Sequence, residues 1–87
     1  MKIKKNFILR EVAGTYVVVA VGEAAKNFNM TINLNETGAF IWKQLEKRTS
    51  EKKIVLALTK EYDVSLETAQ KDVKAYVEAL KKANLLQ

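Results

Sequence analysis

The chain has no cysteine, no histidine and no proline, and only three glycines among its 87 residues. The missing cysteine excludes disulfides, thiolate metal sites and thiol nucleophiles together. Without histidine, zinc sites, Ser/His nucleophilic chemistry and imidazole acid–base work lose their usual residue. Gly14, Gly22 and Gly38 are scattered singly, so there is no glycine-rich loop to cradle a phosphate. No metal and no cofactor is expected. Long apolar runs are also missing. Val17 to Val21 is too short to span a bilayer and reads as a buried strand. The basic stretch Met1 to Asn6 is not followed by the apolar core of a signal peptide, so a cytoplasmic protein is expected.

What is present is a hydrophobic content of 48%, enough to place the chain among globular rather than disordered sequences. Its length suits one domain with a modest core, residues 1–87. The net charge of +5 favours acidic partners, whether nucleic acid or an acidic peptide, and is also ordinary for a small soluble domain.

The chain turns on the stretch from Leu34 to Trp42. Before it, Phe28, Met30, Ile32 and Leu34 alternate with Asn29, Thr31 and Asn33, the period of a strand with one apolar face. After it, Phe40, Ile41 and Leu45 recur at helical spacing, with Trp42 on the flank. Asn35 is placed to cap the helix, and Glu36 suits the positive end of its dipole. Upstream, Phe7 to Val12 and Thr15 to Val21 read as two strands joined at Ala13-Gly14, and Gly22 to Asn27 as a polar connection. Short connections predict an antiparallel meander with the third strand, Phe28 to Leu34, on an edge. Downstream, a first helix runs to about Lys47. Ser50 caps a second helix with Ile54, Val55 and Leu58 on its apolar stripe. Ser65 caps a third, whose core face is Leu66, Ala69, Val73, Val77 and Leu80. Asn84 stops that helix, and Leu85-Leu86 fold back onto the core. Three antiparallel strands followed by three helices make an α+β, winged-helix-like fold.

Two surfaces stand out. One flank of the third helix carries Asp72, Ala75, Tyr76, Ala79 and Ala83, a shallow face with room for another chain. The same alanines also suit packing against a neighbouring helix or strand. The third strand, as an uncovered edge, would offer free N–H and C=O groups to a peptide adding as an extra strand. A covered edge is the alternative. Asp72 could pair with a basic side chain of a partner or be solvated. The other acids sit beside lysines, as in Glu67–Lys71 and Glu78–Lys82, where i,i+4 pairing accounts for them. No constellation supports catalysis. A different class of reading is a winged-helix nucleic-acid binder with Lys71, Lys74 and Lys81 on phosphates. Against it, the third helix has few side chains suited to base readout and carries Glu67, Asp72 and Glu78.

The segment Leu34-Asn35-Glu36-Thr37-Gly38-Ala39-Phe40-Ile41-Trp42, the Tyr62-Asp63 link, Asp72-Val73, Leu80 and Leu85-Leu86 together resemble the family of coenzyme PQQ biosynthesis protein D. That family is the prototype of the RiPP recognition element, which serves ribosomally synthesised, post-translationally modified peptides. The resemblance runs from about Phe7 to Leu86. It departs at Lys47-Arg48-Thr49, where many relatives carry a glycine. It implies a non-catalytic peptide chaperone that binds the leader segment of a precursor peptide and presents it to a modifying enzyme, often a radical SAM enzyme. The pathway served could be PQQ, lasso peptide, sactipeptide or another. The leader would pair with Asn29, Met30, Thr31, Ile32, Asn33 and Leu34 and lie against Asp72, Ala75, Tyr76 and Ala79. No membrane is implied as a partner.

Overall fold

Ala13 and Gly14 both take positive φ, 52° and 80°. A two-residue type I′ hairpin loop requires this at both central positions. They join β1 (Phe7–Val12) to β2 (Thr15–Ala20), with Val12 opposite Thr15 and Phe7 opposite Ala20. The computed structural model describes residues 1–27 and 31–87. Beyond β2 a short helix, α1 (Ala24–Asn27), occupies the stretch expected to be a plain polar connection. Then come β3 (Ile32–Leu34), α2 (Glu36–Leu45), α3 (Glu51–Glu61) and α4 (Leu66–Lys82). The first, second and third helices expected from the sequence are α2, α3 and α4. α2 ends at Leu45, two residues sooner than the expected Lys47.

The sheet order is β1-β2-β3, all antiparallel, so β3 is an edge strand as the short connections imply. Directly opposed residues share a face. Leu9, Val18 and Ile32 therefore line up on the side that meets the helices, with Tyr16 and Leu34 beside them. Val18 is fully buried there, and Ile32 and Leu34 are half-buried against the same core.

The three main helices are capped as their sequences suggest. Asn35, Ser50 and Ser65 each accept a hydrogen bond from the backbone N–H three residues on, at 2.7, 3.3 and 3.1 Å. α4 closes in a Schellman arrangement. Asn84 sits at φ 61°, its N–H bonds the Lys81 carbonyl, and the Leu85 N–H reaches back to Leu80. That turn delivers Leu85 into the core, where it is fully buried.

Two expectations about the core are corrected. Trp42 is not on a flank but fully buried, while Phe40 is half-buried and meets Tyr62 edge-on with ring centroids 5.6 Å apart. The buried residues of α2 are Gly38, Ile41, Trp42 and Leu45, an i, i+3, i+4, i+7 series whose first member has no side chain to count as apolar, with Ala39 beside them. Leu66, expected on the core face of α4, is 53% exposed. It is the first residue of the helix, and helical side chains lean toward the N-terminus. Its side chain therefore projects past the point where α4 meets its neighbours, and the stripe starts at Ala69. The ion pairs Glu67–Lys71 and Glu78–Lys82 do not close either. Among the described residues the pair that does is Lys26–Glu23, at 3.4 Å on the surface.

The basic N-terminal stretch has a structural role that its composition hides. Ile3 is 5% exposed and forms an antiparallel bridge with Leu86. Its N–H bonds the Leu45 carbonyl, and the Lys4 N–H bonds Leu85. The α-amino group of Met1 donates to the Thr49 carbonyl at 2.8 Å. The Lys47-Arg48-Thr49 link thus meets the chain's first residues.

Candidate functional site

The backbone of β3 determines what its free edge can offer. A two-residue type I′ loop closes with a hydrogen-bonded pair, here Val12 and Thr15. Hydrogen-bonded pairs then alternate along an antiparallel ladder. Arg10 and Val17 form the next bonded pair, so the Val17 N–H and C=O point to β1. Those of Val18 and Tyr16 point to β3, where they meet Ile32 and Leu34. By the same parity, the N–H and C=O of Asn33 face outward from the sheet, unused by the ladder.

Asn33 and Leu34 also form one wall of an open cleft of about 450 Å³. Its floor is the first two turns of α2, with Thr37, Gly38 and Ile41. Its far wall is α4, through Asp72 and Tyr76. The Asn35 cap is part of the lining, so the bond that starts α2 also shapes the cleft. Gly38 allows the elements to approach closely. A Cβ there would lie 3.1 Å from Asn35 Oδ1, 3.4 Å from Tyr76 Cε2 and 3.5 Å from Leu34 Cβ. A side chain at position 38 would therefore press on the cap, the strand and the tyrosine together.

Tyr76 carries the site's unusual chemistry. Its hydroxyl is buried with no hydrogen-bond partner among the described residues, and burial pushes the phenol well above its ordinary value of 10. Asp72 is exposed and is the single carboxylate in the lining. The cleft therefore offers one negative charge, a phenol ring, two asparagines and a free backbone edge. Among the described residues, no group of three acidic, histidine or cysteine side chains could hold a metal ion. No described helix is long and apolar enough to cross a membrane.

Of the ten residues expected to bind peptide, Asn33, Leu34, Asp72 and Tyr76 meet around this cleft. Thr31 is exposed just before β3, and Ile32 is within it but half-buried toward the core. Ala75 and Ala79 are exposed on α4 and do not line the cleft. Asn29 and Met30 lie outside the described residues, as does Phe28. Asn35, Thr37, Gly38 and Ile41 were legible as a strand-to-helix joint but not as a cleft floor. The signal for them was Gly38, which has no reason to sit in a first helical turn unless something approaches it closely.

The family model for coenzyme PQQ synthesis protein D matches residues 15–86. The chain belongs to this PqqD family. The matched span takes in β3, the α2 joint and α4, and so every wall of the cleft. Among solved structures, TbiB1 in complex with the TbiA(beta) leader peptide is 25% identical. It superposes with a TM-score of 0.80 over 100% of this chain and 95% of that one. Lasso peptide synthetase B1, complexed with the leader peptide, is 24% identical, with a TM-score of 0.74 over 97% of this chain and 93% of that one. The latter likeness bears on the fold, which both share with this member of the family. No curated protein matches the sequence.

Proposed function

We propose that this chain is a non-catalytic adaptor, one domain acting in the cytoplasm, that binds the leader segment of a ribosomally synthesised precursor peptide and presents it to a modifying enzyme. The observation that carries the reading is the meeting of an open strand edge with a cleft on α4. A leader adding antiparallel or parallel to β3 would bond the outward groups at Asn33 and lay alternate side chains into the cleft. Backbone pairing supplies affinity that tolerates sequence change. Asp72 and the Tyr76 ring supply selection, with a Lys or Arg of the leader favoured opposite Asp72. Family membership and the TbiB1 complex with its leader peptide support the same assignment. Holding the precursor near its enzyme raises its effective concentration without any chemistry in this chain.

The test is an NMR titration of the labelled protein with synthetic leader peptides of candidate precursors, beside a duplex DNA control. Saturable shifts at Ile32, Asn33, Leu34, Asp72 and Tyr76 are expected. Shifts on DNA at Lys71, Lys74 and Lys81, with no response to any leader, would refute the proposal.

A further inference from the structure

α4 has a second groove on its other side. Gln70 and Asp72 are two positions apart, which at 100° per residue turns them to opposite flanks of the helix. Asp72 faces the β3 cleft, while Gln70 lines a groove of about 510 Å³ between α3 and α4. Val55 forms its buried floor, and Leu56 and Leu66 stand on its walls 50% and 53% exposed. Both leucines are left uncovered by the fold, and they converge on one slot instead of being scattered singly over the surface. Lys52 on α3 and Lys74 on α4 flank the slot from opposite sides. Glu51 also lines it, but lies in the first turn of α3, where a carboxylate serves the helix's own dipole.

We propose that this groove docks an acidic amphipathic helix of the modifying enzyme; in naming that enzyme the proposal rests on the reading above. The walls are helices, which present no strand edge to pair with, so no strand can be added there. An occupant must bind through side chains, as a helix laid in a groove does. Apolar residues along one face of that helix would cover Leu56 and Leu66, and flanking carboxylates would meet Lys52 and Lys74. Because the groove and the β3 cleft lie on opposite flanks of α4, leader and enzyme bind at the same time.

The test uses two synthetic amphipathic helices with leucines on one face, flanked by glutamates in one and by lysines in its twin. The acidic helix is expected to shift Val55, Leu56, Leu66, Gln70 and Lys74 saturably in NMR spectra of the intact chain. The basic twin should bind about ten-fold more weakly. Lys74→Glu should reverse that preference, and Leu56→Ser with Leu66→Ser, both at exposed sites, should abolish binding with the fold retained. Equal binding of the twins, shifts at Asn33 and Tyr76 instead, or no saturation by about 1 mM peptide would overturn the proposal. Leader binding is read at different residues, so either inference can fail without the other.

Discussion

At the scale of single residues, Tyr76 joins the stability of the fold to its cleft. An unpartnered buried hydroxyl costs about 1–3 kcal/mol relative to one left in water. Tyr76→Phe keeps the ring that touches Gly38 and removes that cost. It is expected to raise the urea midpoint, equivalent to about 1 kcal/mol. The tyrosine also sets an alkaline limit. Its folded-state pKa lies above the unfolded value of 10. Below about pH 10 both states hold the proton, and above it the unfolded state releases the proton while the folded state keeps it. Stability therefore falls as pH rises beyond 10. Urea titrations at pH 8 and 11 should show a smaller loss for Tyr76→Phe than for the native chain. Some loss will remain, because the Tyr62 phenol is also raised, by desolvation first and then by Glu36 and Glu61. Ala13 offers a converse case. It holds φ 52° with a Cβ, a conformation that asparagine tolerates better. Ala13→Asn is expected to stabilise the hairpin by about 0.5–1 kcal/mol, read as a higher thermal midpoint.

At the scale of elements, the hairpin and the register decide which backbone groups β3 leaves outward for the proposed leader. Asn33 carries the outward parity and Thr31 stands two positions before it, just outside the strand, whereas Ile32 and Leu34 bond β2. Thr31→Pro and Asn33→Pro should each weaken leader binding at least ten-fold with little change in the circular dichroism spectrum. Ile32→Pro should instead damage the sheet itself, because it removes a ladder donor. Unchanged leader affinity in both outward variants would exclude strand addition at β3. The α2 joint was readable from sequence because its cap, its acidic first turn and its change of period are local. The cleft it floors was not, because Leu34, Gly38 and Tyr76 are brought together only by packing.

At the scale of the whole molecule, the first few residues are structural. Ile3 joins the C-terminal Leu86 in a bridge and contributes to a core with Leu45 and Leu85. Ile3→Ala is expected to cost about 2–4 kcal/mol, a large part of the stability of so small a domain. Equilibrium urea unfolding would measure it. Ile3 does not line the cleft between β3 and α4, so if the proposed site is right, leader affinity of the folded variant should match that of the native chain.

The sequence alone determined the order of the three strands and the three long helices, their three caps, the helix stop at Asn84 and the edge position of β3, but not the short helix α1. Each follows from spacing, turn chemistry or short connections, and each is encoded within a few residues. It also carried the family, because the Leu34 to Trp42 joint is itself a local pattern. Tertiary structure alone decided that Trp42 is central and Leu66 exposed, that a lysine-rich segment buries Ile3, and that Gly38 rests on Tyr76. These depend on which surfaces meet after the chain has folded. A glycine or a single isoleucine among lysines shows no such meeting in its own neighbourhood.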